Sequence, residues 1–504
     1  MKRRYYKLIL SFMGIVILSS CKKMMDINTD PDRLPASSSL YPQLLTSAEV
    51  NLGFEGGSDL FRYTTEIMQQ MSGQASQPNQ TYEYYRYNIT GSDQNNLWGS
   101  MMASTLSDLE LVINQATAAG SPHYVGVAKI LKAYEYSKVV DTWGDVPYTE
   151  AQQLDKNTQP KYDDDATIYP KLISLLQSAV TDMNAATSIQ SPGTNSTFYS
   201  NATWATARPF WIKLANTLQL RLLLHYSKKD PAFMVSQMTA LINTAGITFM
   251  SSNADNFQHP FYNVANQRNP ISAFEVSRPN YLFADSKMIG MMNAKNDPRR
   301  PFYFSDFPVG SGTYVGVSAT APPAAPNNNY SRIHTFLRGA VTTAATGTNS
   351  AVYSGAAPQR MLPYAEYCFI RAEAALMGVP AGAGNDAQTW YTAGITASMQ
   401  EAGVAAADIT TYLTANGTLG GGTSSEKIRQ IIEEKYIALF GVSVEPWNDW
   451  RRTGYPVLSV PTNAITSVTA VPRVLFYPQS EIDLNPNNPG QKADNLQGKV
   501  FWDN

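Results

Sequence analysis

The side chains most often used for metal binding and nucleophilic catalysis are few and scattered in this sequence. The 504 residues include four histidines and two cysteines, at His123, His225, His259, His334, Cys21 and Cys368. No two histidines have the spacing of helical zinc ligands, and the cysteines form no closely spaced pair. We therefore predict no metal site and no cofactor. Cys368 lies in an apolar helical segment, which favours a buried and unreactive thiol.

Motifs for other kinds of catalysis are absent or weak. The sequence has no G-x-S-x-G nucleophile elbow, and its glycines at 420–422 lack the lysine of a phosphate-binding loop. The carboxylates of Asp163, Asp164 and Asp165 could hold calcium, but acidic side chains also favour the start of a helix, and we prefer that interpretation. A carboxylate pair for glycoside hydrolysis stays open, because sequence does not reveal distances in space. We predict that the protein is not an enzyme.

Charge and composition exclude two further classes. The chain carries 38 basic and 40 acidic side chains, a formal charge of −2, whereas nucleic-acid binders normally show a basic excess. The apolar content of 43% is enough to build a large core, so a wholly disordered chain is also excluded.

The N-terminus is typical of an exported lipoprotein. Basic residues within 1–7 precede an apolar run over 8–18, which is too short for the roughly 20 residues of a spanning helix. The run ends in Leu-Ser-Ser-Cys, which resembles a bacterial lipobox, so we predict that Cys21 is lipidated. We expect a signal peptide at 1–20, a polar tether at 21–39 and a single domain at 40–504, anchored to a membrane by lipid.

Apolar periodicity predicts a mainly α-helical scaffold. Tyr124, Val127, Ala128 and Leu131 follow the i, i+3, i+4, i+7 pattern of a helix face. The same pattern recurs over 211–222 and 428–439. Further helices are expected at about 41–72, 98–119, 167–186, 232–245, 282–294, 363–378, 386–402 and 406–414. Their lengths suit stacked helical hairpins, although no clean 34-residue repeat is visible.

Long segments between these helices are rich in turn-forming and aromatic residues. They cover 73–97, 188–206, 246–281, 303–360 and 455–504, and we expect them to be irregular. Irregular segments of this length in a compact protein are usually functional or disordered, and here the aromatic content favours a binding role.

A series of motifs resembles the SusD/RagB family of Bacteroidetes outer-membrane lipoproteins, in particular its SusD-like branch. The sequence DINTDP at 26–31 is similar to the opening of the family, and DTWGDVPY at 141–148 resembles its helix-ending turn. Later motifs appear in the family's order: WIKLANTLQLR at 211–221, NDPR at 296–299, YAEYCFIRAEAALMG at 364–378, YTAGITASM at 391–399, EPWNDWRRTGYP at 445–456, PRVLFYP at 472–478 and VFWD at 500–503. Together they cover most of the chain. Phe501 and Glu434 depart from the residues common in the family.

The resemblance implies both a fold and a role. The implied fold has tetratricopeptide-like helix pairs that support a ligand-binding face made of long irregular loops. The implied role is capture of an oligosaccharide at the cell surface and its delivery to a SusC-like TonB-dependent transporter in the outer membrane. Peptide ligands are the main alternative within the family. A surface glycan-degrading enzyme and a purely structural helical adaptor are alternatives from other classes.

Within such a loop face, the segment 80–98 is the strongest candidate for ligand contact. Flat aromatic rings bury the apolar faces of sugars or peptide side chains, while neighbouring amides and charges bond their polar edges. The candidates are Tyr82, Tyr84, Tyr85, Tyr87, Asn95, Asn96 and Trp98, followed by Asn280, Tyr281, Asn329, Tyr330 and Arg332. The tyrosines could equally pack on the helical core. If they do contact ligand, replacing Tyr85 and Trp98 by alanine should abolish binding with little loss of stability.

Overall fold

The computed structural model describes residues 40–75, 78–153, 156–345, 351–382 and 384–504. The expected signal peptide, the lipidation site at Cys21 and the tether at 21–39 lie outside the described residues. Among the residues that are described, no helix is both long enough and apolar enough to cross a lipid bilayer.

The scaffold is mainly α-helical, as predicted. Its helices in chain order are α1 (Tyr41–Gly56), α2 (Asp59–Ile67), α3 (Gln80–Tyr85), α4 (Gly91–Trp98), α5 (Leu106–Ala118), α6 (Pro122–Trp143), α7 (Asp165–Met183), α8 (Trp204–His225), α9 (Pro231–Ile242), α10 (Pro270–Ser277), α11 (Ser286–Ala294), α12 (Arg300–Tyr303), α13 (Thr335–Arg338), α14 (Tyr364–Leu376), α15 (Ala387–Ala402), α16 (Ala406–Asn416), α17 (Ser424–Ala438), α18 (Glu445–Thr453) and α19 (Gln479–Leu484). A π-helical turn, Gly99–Thr105, joins α4 to α5.

Strands are short and occur in pairs. They are β1 (Met71–Ser72), β2 (Phe257–His259), β3 (Phe283–Ala284), β4 (Val341–Thr343), β5 (Val352–Tyr353) and β6 (Gln359–Leu362). β1 pairs with β3, β2 with β6 and β4 with β5, each time antiparallel. The β1–β3 pair matters for function because it ties the segment before α3 to the segment before α11, with Met71 opposite Ala284.

Consecutive helices pack as hairpins, which agrees with the tetratricopeptide-like architecture. α6 contacts both α5 and α7, α7 contacts α8, and α14 contacts α15 and α17. The boundaries follow local signals: Asp164 caps α7 by accepting a hydrogen bond from the Ala166 amide, and Pro122 occupies the first turn of α6. Gly144 ends α6 with φ +78°, a conformation that glycine tolerates, as the motif predicts.

Ion pairs buried inside this scaffold involve the motif residues. Arg221 on α8 binds Glu366 on α14, and Arg452 on α18 binds Glu373 on α14 as well as Asp449 in its own helix. Because a buried charge is stable only when it is paired, these residues hold the helices together. The motifs that carry the family resemblance therefore lie mainly in the scaffold.

The segments expected to be irregular contain short helices. α3 lies within 73–97 and α4 lies within it except for its last residue, Trp98, while α10 lies within 246–281 and α19 within 455–504. Each is only six to eight residues long, so none shows the two-turn apolar repeat by which helices were recognised in the sequence.

Candidate functional site

Four segments converge on one side of the helical scaffold and form a surface that we call the loop face. It consists of residues 73–75, 78–90, 278–285, 315–332 and 459–468. Backbone hydrogen bonds connect them: the Asn327 amide donates to the Ala75 carbonyl at 3.0 Å, and the Ile465 amide donates to the Arg86 carbonyl at 3.0 Å. The loop face is thus an ordered surface held by main-chain contacts.

Tyr82 presents part of its ring on the loop face. It lies in α3, which begins because the Asn79 side chain accepts a hydrogen bond from the Tyr82 amide at 3.2 Å. Tyr82 is half-buried, and the guanidinium of Arg86 lies 5.2 Å from its ring centroid. Arg86 is held in turn by a 2.7 Å bond from its Nε to the Asn463 carbonyl. The pair combines an aromatic surface with charged hydrogen-bond donors.

The other tyrosines of this segment lie in the core. Tyr84, Tyr85 and Tyr87 are buried, Tyr84 against Tyr63 and Tyr85 through a hydrogen bond from its hydroxyl to Asp285. Their rings are unavailable to a ligand in this conformation and instead support the loop face from below. Burial raises the pKa of Asp285 to about 7, although the Tyr85 hydroxyl opposes this shift.

Trp98 and its neighbours do not share one environment. Trp98 is buried, stacked on Tyr162 with ring centroids 6.4 Å apart and edge-on to Trp143 at 5.2 Å. Asn95 uses its side-chain oxygen to accept a hydrogen bond from the Ser480 amide at 3.0 Å. Of this group, Asn96 is the exposed residue.

The residues expected from the middle of the chain reach the loop face. Thr81 donates a 2.7 Å hydrogen bond to the Tyr281 carbonyl, which brings half-buried Tyr281 beside α3. Tyr330 is also half-buried and packs edge-on to Phe283 at 6.1 Å. The structure therefore brings Tyr281 and Tyr330 to the same surface as Tyr82.

Arg332 is less available than its neighbours. Its guanidinium donates to Glu275 at 2.9 Å and to the Asn280 side chain, and it lies 5.4 Å from the Phe283 ring centroid. These contacts connect the segment 315–332 to α10 and to the segment 278–285. Asn329 is exposed nearby.

A cavity of about 460 Å³ opens beside the loop face, between α1, α2, α4 and α10. Phe274 links the two surfaces, because it lines the cavity and also packs edge-on to Tyr281 at 5.9 Å. Asn96 lines the cavity, as do Phe54, Arg62 and Arg278. Its volume falls within the range of small-ligand sites, roughly 300–1,000 Å³.

The sequence analysis did not single out the cavity residues Phe54, Arg62 and Arg278. Phe54 and Val50 stand four residues apart on α1 and are 53% and 42% exposed, an apolar stripe that could have indicated a surface site. Arg62 belongs to a helix that the sequence merged with α1, and Arg278 follows the unrecognised α10. The cavity becomes visible only in the structure, where these residues and Phe274 line the same space.

Aromatic rings, arginines and amides on these surfaces suit noncovalent binding. Among the described residues, no group of three or more histidine, cysteine or acidic side chains is placed to hold a metal ion. The carboxylates Asp163, Asp164 and Asp165 have separate partners: Asp163 accepts from Thr149, Asp164 caps α7, and Asp165 accepts from the Phe501 amide. Cys368 is buried, and burial raises the pKa of its thiol to about 12.

Comparisons with known proteins agree with this architecture. A chitin-binding protein of solved structure superimposes with a TM-score of 0.74 and 25% identity, covering 92% of this chain and 100% of that one. A SusD-like protein from Bacteroides thetaiotaomicron gives 0.73 at 22% identity, over 92% and 98% of the two chains. A chitin-binding SusD homolog from Flavobacterium johnsoniae gives 0.69 at 19% identity, over 92% and 98%. No curated protein matches the sequence.

The sequence itself also matches a family model. That model is described as "Starch-binding associating with outer membrane", and it matches residues 34–478, which include the loop face and most of the helical scaffold. Since the match covers far more than half of the chain, the protein belongs to the SusD/RagB family, in its SusD-like branch.

Proposed function

We propose that this protein captures oligosaccharides at the cell surface and delivers them to a SusC-like TonB-dependent transporter in the outer membrane. The observation that carries the proposal is the family match over 34–478, with its description as starch-binding and outer-membrane associated. The likeness to a chitin-binding protein at 25% identity supports the same ligand class. On this proposal the protein binds its ligand without chemical turnover.

The loop face supplies suitable chemistry for a glycan. Tyr82, Tyr281 and Tyr330 are each half-buried, so each keeps part of its surface accessible. Sugar rings have apolar faces that pack on such surfaces, while their hydroxyls bond to groups such as Arg86 and Asn329. Burial of the apolar faces provides binding energy, and the polar groups provide orientation.

The proposal also includes the N-terminal segments that would export the protein and anchor it to the membrane. We place the signal peptide at 1–20, the lipid on Cys21 and a polar tether at 21–39, followed by one domain at 40–504. Metabolic labelling with a palmitate analogue should mark the wild-type protein and not a Cys21→Ala variant. Labelling of the variant would contradict the anchor.

Ligand binding is tested with the lipid-free chain from residue 21, carrying Cys21→Ser. Thermal shift and calorimetry are run against neutral and acidic oligosaccharides and against peptide pools, since a ligand that binds the native state alone raises the melting temperature. Selective glycan binding without product formation supports the proposal. If the protein binds peptides and no glycans, the proposed ligand class is wrong and the ligand is a peptide. If it converts a glycan to products, the protein is an enzyme and the proposed function is wrong.

The transporter is tested separately. Affinity purification of the tagged lipoprotein from solubilised outer membranes should retain a TonB-dependent barrel. Recovery of the lipoprotein without any barrel, under conditions that keep other outer-membrane complexes intact, would contradict delivery to a transporter.

A further inference from the structure

We propose that the cavity beside the loop face is a second binding site, which takes an anionic sugar unit bearing a carboxylate or a sulfate. The inference rests on the proposed glycan-binding function and specifies the charge of one part of the ligand. It follows from two arginines, one helix N-terminus and one exposed aromatic ring that share the 460 Å³ cavity.

The two arginines are held against one ring. The guanidinium carbon of Arg62 lies 4.4 Å from the centroid of Phe274, and that of Arg278 lies 5.4 Å from it. A guanidinium is planar because its bonds are delocalised, and packing against an aromatic face leaves its N–H groups directed outward in that plane. This is the arrangement that binds carboxylate and sulfate oxygens with pairs of hydrogen bonds.

Both arginines have unused donor capacity. Arg278 is exposed, and the one hydrogen bond from its side chain within the described residues is a 3.4 Å contact with the Ser277 hydroxyl. Arg62 is nine-tenths buried and binds Asp59, yet its Nε has no partner among the described residues.

The N-terminus of α2 adds positive potential at the same place. Asp59, the first residue of this nine-residue helix, and Ser58, its N-cap, both line the cavity. No side chain caps the helix, because the Ser58 hydroxyl donates to the Glu55 carbonyl at 3.1 Å instead. The free amides of a helix N-terminus attract anions.

Asp59, the acidic residue that lines the cavity, and buried Glu55 do not cancel this charge. Asp59 is paired with Arg62, which leaves the charge of Arg278 uncompensated among the lining residues. Glu55 lies buried behind Ser100, accepts its hydroxyl hydrogen at 2.6 Å and has Lys138 at 3.9 Å. The accessible wall of the cavity therefore has an excess of positive charge.

The remaining lining favours a sugar over a bare ion. Phe54 lines the cavity and is 53% exposed, so part of its apolar side chain is accessible. Exposed Asn96 supplies an amide that can both donate and accept hydrogen bonds with sugar hydroxyls. Because Phe274 connects the cavity to Tyr281, one extended glycan could contact both surfaces.

The test uses probes that differ mainly in charge. Oligogalacturonate, its methyl ester and a chondroitin sulfate oligosaccharide are titrated into the lipid-free chain, together with neutral chitin and starch oligosaccharides. We expect the carboxylated or the sulfated probe to bind at least about tenfold more tightly than every neutral probe, since hydrogen bonds between charged groups are stronger than those between neutral groups. The preference should weaken as salt is added.

Two variants locate the effect. Arg278→Gln should remove most of the charge preference, whereas Arg429→Gln, an exposed arginine that does not line the cavity, should leave it unchanged. Equal thermal stability of both variants with the wild type confirms that folding is intact. Loss of acidic-probe binding in Arg278→Gln alone supports the inference.

Other outcomes separate the inference from the proposed function. Tight binding of neutral glycans with no response to Arg278→Gln would overturn the anionic site and leave glycan capture standing. No binding of any acidic or neutral glycan would overturn both. Acidic-probe binding that is equally lost in both variants would assign it to general surface charge and would also overturn the site.

Discussion

The guanidinium of Arg221 on α8 binds the carboxylate of Glu366 on α14 through two hydrogen bonds, at 2.7 Å from Nε and 2.5 Å from Nη2. Both residues are buried, and a further bond from Nη2 to the Met361 carbonyl at 2.8 Å ties β6 to the pair. Residues 145 positions apart in the sequence therefore fix the packing of two scaffold helices.

Removing one partner of this pair should destabilise the protein strongly. Arg221→Met leaves the Glu366 carboxylate buried without its main partner, and we expect a loss of about 3–5 kcal/mol in the free energy of unfolding. Urea denaturation of the lipid-free chain measures it. As a control, Arg429→Met removes an exposed arginine that lies 3.9 Å from Glu433 and should cost at most about 1 kcal/mol. Similar losses in both variants would contradict a special role for the buried pair.

Asp285 should make stability depend on pH in a defined direction. Burial raises its pKa from the usual 3.8 to about 7, so the folded state holds a proton that the unfolded state releases between these values. Its contribution is fully present below about pH 4 and is lost as pH rises through 7.

The variant Asp285→Asn isolates this effect. Asparagine stays neutral and keeps an oxygen that can accept the 2.7 Å bond from the Lys287 amide at the start of α11. We expect the stability of the variant relative to wild type to increase from pH 4 to 7 and to level off above that. A relative stability that does not change with pH, measured by chemical denaturation, would show that Asp285 titrates normally.

Cys368 should be unreactive in the native protein. Burial raises the pKa of its thiol to about 12, so almost no nucleophilic thiolate exists at pH 8. In the Cys21→Ser chain this is the one remaining cysteine. We expect a thiol reagent to label it in denaturant and to label it at least about a hundredfold more slowly in native buffer, because reaction then requires opening of the fold. Rapid native labelling would indicate that α14 opens readily.

The scaffold was largely predictable and the surface was not. Long helices such as α6 and α8 repeat apolar residues over several turns, and motif residues such as Arg221 and Gly144 play structural roles that their types suggest. The direction of a ring in the segment 80–98 depends on partners far away in the sequence, such as Asp285 for Tyr85. No local pattern specifies such a partner. For the same reason, a cavity built from α1, α2, α4 and α10 could not be read from any one of them.

Burial also changes the expected effect of mutating the aromatic segment. Tyr85 and Trp98 are buried, so their replacement by alanine should destabilise the fold by roughly 3–5 kcal/mol each. This is contrary to the expectation from sequence that stability would be spared. Binding lost in these variants would therefore not locate a ligand site.

Tyr82 and Tyr281 allow the proper test of the loop face. Both are half-buried, and Tyr82 contributes no hydrogen bond from its hydroxyl to the described residues, so Tyr82→Ala should cost at most about 1–2 kcal/mol in stability. Loss of one stacking ring should weaken glycan binding about tenfold or more, and the double variant with Tyr281→Ala should weaken it further. Calorimetry gives the dissociation constant and denaturation gives the stability of the same samples. Val457→Ala, at an exposed apolar residue outside the loop face, is the matched control. If the tyrosine variants fold normally and bind glycan as tightly as this control, the rings of the loop face do not contact the ligand, and the binding surface must lie elsewhere on the scaffold.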